Sequence, residues 1–348
     1  MSATVACTGS LMSHNAPPGR EGAGPLTAPD FPLVTIGITC FNAAETISRA
    51  IASAVSQEWP SLEILVVDDC STDESGSVIH RALAGVAGAR VLRHRKNSGV
   101  AVARNTLLEM ASGEFIAFFD DDDESVPTRV SIQYEAIRQH ECKTGASVIA
   151  CYGSGAREYP NGYRVQAQAI GSRERGPVGT EVVDYLLFNE RKSGVSYGAG
   201  IPTCALMART ATLREVGGFD PSLRRVEDVD LAIRLGLAGA HFIGCAEELY
   251  LQRATLGADK TPVENLASEL LVVEKYRDYL KQRGLYEYAR DWFVFRERYF
   301  SKHYLSALLC LLNIAANRPF RAARHLLRSA PARLRHERAM NAPVRPQS

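Results

Sequence analysis

The feature that most constrains this chain is a couplet repeated along its first half. A short apolar run rich in β-branched residues stops at acids or turn-formers, and a segment with apolar residues at helical spacing follows. "LVTIGITCF" (Leu33–Phe41) is the first such run. "SLEILVVDDCSTDES" ends its run at Asp68 and Asp69, "ARVLRHRKNSG" runs into a loop, and "EFIAFFDDDD" ends at Asp120–Asp123. Between them, Ile47, Ile51 and Val55 mark a helix in "ETISRAIASAVSQ". "ESGSVIHRAL", "VAVARNTLLEMAS" (stopped by Gly113) and Pro127–His140 carry three more. Strand and helix in alternation predict a mostly parallel sheet with helices on both faces. Ligands of such sheets bind outside the carboxyl ends of the strands, so both acid groups line one crevice.

Past Ser147 the alternation weakens. "ASVIACYG" and "REYPNGYRVQAQAI" read as strands joined at "PNG", "GIPTCALMART" as another strand, and "VEDVDLAIRLGLAGA" as a helix ending near Gly239. From Val263 to about Arg328 the pattern is helical. The expected organisation is a disordered leader over 1–31, an α/β domain over 32–250, a helical extension over 251–330 and a basic flexible tail over 331–348. The leader is rich in Ser, Gly, Pro and Ala and lacks the apolar core of a signal peptide. A net charge of +1 excludes a general attraction to nucleic acid, and no nucleic-acid partner is expected. The eight cysteines are scattered without C-x-x-C spacing, which fits a reducing, cytoplasmic setting.

Four adjacent aspartates repel one another, and burying any of them unpaired is costly. A divalent cation would offset that charge, with carboxylates and a substrate phosphate as its usual ligands. Strand alternation puts Asp120 and Asp122 on one side and Asp121 on the other. The plainer reading makes Asp123 or Ser125 the cap of the next helix. Asp68 and Asp69 either contact a ribose or base or form a solvated strand end beside Ser71–Asp73. Asn97, Gly99, Arg104 and Asn105 form a loop and helix start in which Arg104 pairs with an aspartate or a diphosphate; otherwise this is an ordinary surface helix. Glu227 and Asp228 sit at a helix N-terminus, where the dipole favours anions by roughly 0.3–1 kcal/mol. They are either that dipole effect alone or a general base.

Read in order, "VTIGITCFNAAETISRAIASAVSQEWPSLEILVVDDCSTDES", "NSGVAVARN", "GEFIAFFDDDDESVP" and "GGFDPSLRRVEDVDLAIRL" resemble the family-2 inverting glycosyltransferases of the GT-A (Rossmann-like) fold, over about Leu33 to Tyr250. The resemblance implies a nucleotide-diphosphate sugar donor, UDP-sugar foremost, and metal-dependent single displacement with inversion. Thr39, Phe41, Asp69, Asn97, Arg104 and Asp120 would hold the donor. Asp120 and Asp122 would hold Mg²⁺ or Mn²⁺, and Asp228, with Glu227 beside it, would be the catalytic base. The implied acceptor is a glycan or lipid-linked glycan in surface polysaccharide biosynthesis.

This chain departs from the family pattern in two places. Val229 follows the "ED" pair where an aromatic is common, and "LYLQRATLGADKTP" offers Arg253 and Lys260 but no His. The C-terminal stretch sets Leu305, Leu308, Leu309 and Leu312 on one stripe among arginines 318, 321, 324 and 328. That suits a helix lying on an anionic membrane surface, hence peripheral contact with its inner face; the alternative is a helix packed on the catalytic domain. Among rival functions, an aspartate phosphohydrolase needs D-x-D-x-[TV], but Glu124 follows Asp123. A nucleotidyltransferase needs a Gly-rich basic loop after the first strand. A non-catalytic member binding sugar nucleotide or a partner protein is the remaining alternative.

Overall fold

The computed structural model describes residues 31–253 and 262–340. The leader expected over 1–31 and Lys260 lie outside these residues, apart from Phe31. The couplets form as read: β1 (Val34–Cys40), α1 (Ile47–Val55), β2 (Leu62–Asp68), α2 (Ser75–Ala82), β3 (Ala89–Arg93), α3 (Val100–Met110), β4 (Phe115–Asp120), β5 (Asp123–Ser125) and α4 (Arg129–Thr144). There follow β6 (Ile149–Glu158), β7 (Arg164–Ala167), α5 (Thr180–Phe188), β8 (Leu206–Arg209), α6 (Thr210–Glu215), α7 (Glu227–Leu237) and β9 (His241–Arg253). Helices α8 (Pro262–Lys275), α9 (Arg277–Gln282), α10 (Tyr286–Phe300), α11 (Tyr304–Asn317) and α12 (Pro319–Met340) complete the described chain.

The sheet order is β3-β2-β1-β4-β8-β6-β9-β5, with β7 beside β6. Strands β1, β2, β3, β4, β6 and β9 point one way, and only β5, β7 and β8 run against them. Residue alternation splits the apolar strands between two cores. Phe115, Ala117 and Phe119 join Ile36, Ile38 and Ile51 on one face; Ile116 and Phe118 join Leu65, Leu107 and Leu231 on the other. Sandwiched between helices, these strands read as unbroken apolar runs.

The second core continues without interruption into the C-terminal helices through Tyr276, Leu280, Tyr288, Trp292, Ile314 and Ala322. Helix α11 buries Ala307 and Ile314 but leaves Leu305, Leu308, Leu309 and Leu312 more than half exposed. It therefore both packs on the domain and presents an apolar stripe. None of the described helices is long and apolar enough to cross a membrane.

Capping does not account for the aspartate run. Thr128 is the N-cap of α4, without a side-chain cap bond. Ser125 Oγ instead accepts from Arg129, and Asp123 belongs to β5.

Candidate active site

The carboxyl ends of β1 to β4 converge as the topology requires. Thr39 is half-buried near the end of β1, in register with Asp120. Phe41, just beyond, is 43% exposed, and its N–H donates to Asp121 Oδ2 at 3.1 Å. Asp68 and Asp69 are buried, so neither is a solvated strand end. The Asp69 carboxylate accepts from the backbone N–H groups of Ser98 (2.9 Å) and Gly99 (2.7 Å) and lies 2.7 Å from His94 Nδ1. These bonds hold the exposed Asn97 and its loop against β2. Gly99, at φ +92, makes the turn into α3, a conformation that disfavours any side chain.

Helix α3 points Arg104 into the centre, where it is buried rather than on a surface face. Its guanidinium donates to Glu227 Oε1 at 2.6 Å and to Asp120 Oδ1 at 3.1 Å, and lies over the Phe219 ring. One arginine thus ties the end of β4 to the start of α7. Val226, immediately before α7, has φ +58. A β-branched residue in the left-handed region stores on the order of 1–3 kcal/mol of strain. Such outliers cluster at functional sites.

The aspartates double back on themselves. Asp120 ends β4, Asp121 and Asp122 turn, and Asp123 returns in β5 so that Asp120, Asp123 and Cys204 bring donor atoms within 4.8 Å of one another. Asp122, the residue expected to partner Asp120, lies in the turn and outside that group. Burial and the neighbouring Asp120 and Asp122 charges push Asp123 up to about 8. Burial, with the same two neighbours, pushes Asp121 up to about 7 against the Phe41 bond that lowers it. Burial and the Asp120 and Asp123 carboxylates hold the Cys204 thiol well above its usual range. A hard divalent cation fits this set: it takes carboxylate oxygens and offsets the crowding that raises these groups. A protonated, soft thiol contributes little to such an ion. Gln252 Nε2 donates to Asp123 Oδ2 at 3.1 Å.

Asp228 opens α7 and is half-buried, with Oδ1 accepting from the Val229 N–H at 2.8 Å. Burial and the adjacent Glu227 push it up to about 6, while Arg104 opposes the rise. Two cavities meet at it. One, of about 380 Å³, is walled by Tyr152, Arg157, Tyr250 and Gln252. The other, of about 440 Å³, is walled by Tyr185, Trp292, Phe293 and Arg296, and the C-terminal helices close it. Gly200 and Ile201 line both. Glu227 has a different place: it faces Arg104 and lines neither cavity.

The family model described as glycosyl transferase family 2 matches residues 35–213, just over half of the chain. The chain belongs to glycosyl transferase family 2. The UDP-Glc:alpha-D-GlcNAc-diphosphoundecaprenol beta-1,3-glucosyltransferase WfaP of Escherichia coli is 38% identical over 103 residues, 29% of this chain and 39% of that protein. The pre-mycofactocin glycosyltransferase of Mycobacterium tuberculosis is 30% identical over 219 residues, 62% of this chain and 42% of that protein. The chain thus spans less than half the length of these two curated relatives. Residues 1–349 of S. aureus TarS, crystallised with UDP, share the fold at a TM-score of 0.55 and 18% identity, over 78% of this chain and 73% of that one. The GT-A architecture read from the sequence is the one observed.

Within this family-2 chain, Asp228 and every C-terminal helix lie beyond the residues that the family model matches. Sequence reasoning missed Asp123 as a member of the acid group, as well as Cys204, Tyr250 and Gln252. Asp123 was visible only as the last of four aspartates; the other three carry no local signal.

Proposed function

We propose that this chain is a metal-dependent, inverting glycosyltransferase that moves a sugar from a nucleotide-diphosphate donor, UDP-sugar foremost, to a glycan or lipid-linked glycan acceptor in surface polysaccharide biosynthesis. The observation that carries this reading is Asp228. It is a half-buried carboxylate held up to about 6, placed where two cavities meet and linked through Glu227 and Arg104 to Asp120.

In this reading Thr39, Phe41, Asp69 and Asn97 form the nucleotide end of the crevice, with Asp69 ordering the loop. Asp120 and Asp123, with Asp122 in the turn beside them, would supply the carboxylates for Mg²⁺ or Mn²⁺, which would supply positive charge at the departing diphosphate. Arg104 positions Asp120 and Glu227, and Glu227 keeps Arg104 away from direct pairing with Asp228. The Asp228 carboxylate takes the proton of the acceptor hydroxyl as that oxygen bonds to the anomeric carbon. The bond from that carbon to the diphosphate oxygen breaks, its electron pair leaves with the diphosphate, and configuration inverts. Such a base contributes typically 10²–10⁴-fold. A base at about 6 is ionised at neutral pH yet more basic than an ordinary aspartate, which suits this task. The acceptor reaches Asp228 from the cavity closed by the C-terminal helices. The exposed leucines of α11 support a peripheral seat on the cytoplasmic membrane face, which fits a lipid-linked acceptor.

The test is a panel of nucleotide sugars with and without Mn²⁺ or Mg²⁺, following both binding and slow hydrolysis to free diphosphate. One donor should bind only with metal, Asp120→Ala should abolish that binding, and Asp228→Asn should bind without turnover. Metal-dependent binding with no hydrolysis or transfer by the unaltered chain would favour the non-catalytic alternative instead.

A further inference from the structure

The sequence lacks a histidine at the end of β9, and the structure explains what the arginine there does instead. Arg253 donates to Glu124 at 2.9 Å and to Glu158 at 3.4 Å, so its charge is already engaged. The register sorts this edge into two rows. Glu158 is paired with Arg253, and one residue earlier Arg157 is paired with Gln252, which in turn is paired with Asp123. Because side chains alternate along a strand, these neighbouring rows face opposite sides of the sheet. Arg157, Gln252 and Asp123 therefore form one row across β6, β9 and β5, on the side of the cavity that Asp228 shares.

Arg157 is the unexplained member. The residue is half-buried, its Nε is shielded from solvent without a hydrogen-bond partner, and no carboxylate among the described residues lies within ion-pair distance of the guanidinium. Its guanidinium carbon lies 5.7 Å from the centroid of the Tyr159 ring. A buried N–H left unmade costs about 1–3 kcal/mol, so the Nε–H in a native fold calls for a missing partner. Asp123 does not serve: its Oδ2 is taken by Gln252, which stands between the two. Adjacent strands lie about 4.8 Å apart, so the Arg157 backbone is about 10 Å from that of Asp123. An oxyanion held between the aspartate group and Asp228 falls within a guanidinium's reach.

We infer that Arg157 is an oxyanion receptor for the donor: its guanidinium binds a phosphate oxygen of the diphosphate, or a carboxylate on the transferred sugar, inside the cavity shared with Asp228. This rests on the nucleotide-sugar reading above. It assigns to β6 the cationic grip that the end of β9 does not provide, because Arg253 is spent on Glu124 and Glu158.

The experiment compares the full chain with Arg157→Gln and Arg157→Lys by calorimetry, with Mn²⁺ throughout. The probes are UMP, UDP, UDP-glucose, UDP-glucuronate and inorganic pyrophosphate, and thermal melts check the fold of each variant. If the diphosphate is the anion, Arg157→Gln weakens UDP, UDP-glucose and pyrophosphate by about ten- to a hundredfold, in line with a charged hydrogen bond. UMP is then unmoved, and lysine restores part of the loss. If a sugar carboxylate is the anion, UDP and UDP-glucose are unmoved and only a tighter binding of UDP-glucuronate disappears. Unchanged affinities for every probe that the unaltered chain binds overturn the inference and leave the donor reading standing. Pyrophosphate binding that depends on Arg157, with no nucleotide bound by any form, keeps the oxyanion receptor and overturns the donor reading. Binding of none of the probes overturns both.

Discussion

Replacing Arg104 with methionine tests the centre of the site most directly. The substitution keeps a long, flexible side chain but removes the charge shared by Glu227 and Asp120. Removing one partner of a buried ion pair costs about 3–5 kcal/mol, because the charge left behind is uncompensated. The Glu227 side chain is 12% exposed and that of Asp120 is 29%, so water screens part of the loss at Asp120. The lower end, about 3 kcal/mol, is the better expectation. At about 2–4 °C per kcal/mol for a domain of this size, the melting temperature falls by roughly 6–12 °C. The same arginine holds Asp228 down against burial and Glu227, so its loss lets Asp228 rise further. In the proposed mechanism Asp228 must be ionised to accept a proton. Turnover in the unaltered chain therefore rises as pH passes through about 6, and in Arg104→Met that limb moves to higher pH. The assay is a thermal melt alongside the pH profile of donor hydrolysis. Arg104→Met combined with Glu227→Met removes the more buried of the two stranded charges and should regain part of the stability while the shifted activity persists. A melt within a degree or two of the unaltered chain, with the pH limb unmoved, would refute the reasoning.

Three further outcomes follow from the same geometry. Asp69→Ala strands the Ser98 and Gly99 N–H groups, so it should cost about 2–3 kcal/mol and weaken UDP binding; a melt and a titration read both, and unchanged UDP affinity would remove Asp69 from the nucleotide end. Mn²⁺ should raise the melting temperature of the unaltered chain and not that of Asp120→Asn or Asp123→Asn, since the crowded carboxylates are what the ion relieves; equal shifts in all three would place the ion elsewhere. Leu305→Gln with Leu309→Gln should lower sedimentation with anionic phospholipid vesicles while sparing donor binding, because both side chains are more than half exposed on α11; unchanged sedimentation would leave α11 as a packing helix only.

The alternation of apolar runs and helical spacings placed the strands, and through them the acids at the carboxyl ends of β2 and β4, because periodicity is a local property of a chain. The "ED" pair was legible as a helix start for the same reason. Its two members were not separable: only the fold turns Glu227 onto Arg104, 123 residues away in sequence, and leaves Asp228 where the cavities meet. The capping reading of Asp123 failed because a strand of three residues pairing with β9 is a long-range event with no local signal. Cys204 and Gln252 were invisible for that reason as well, and so was the Arg157–Gln252–Asp123 row, which exists only through strand order and register. Sequence by itself determined which residue types stand at the strand ends, since those follow from neighbours a few positions apart. The tertiary structure alone decided which of them face one another, because charge compensation and cavity walls depend on contacts that cross the sheet.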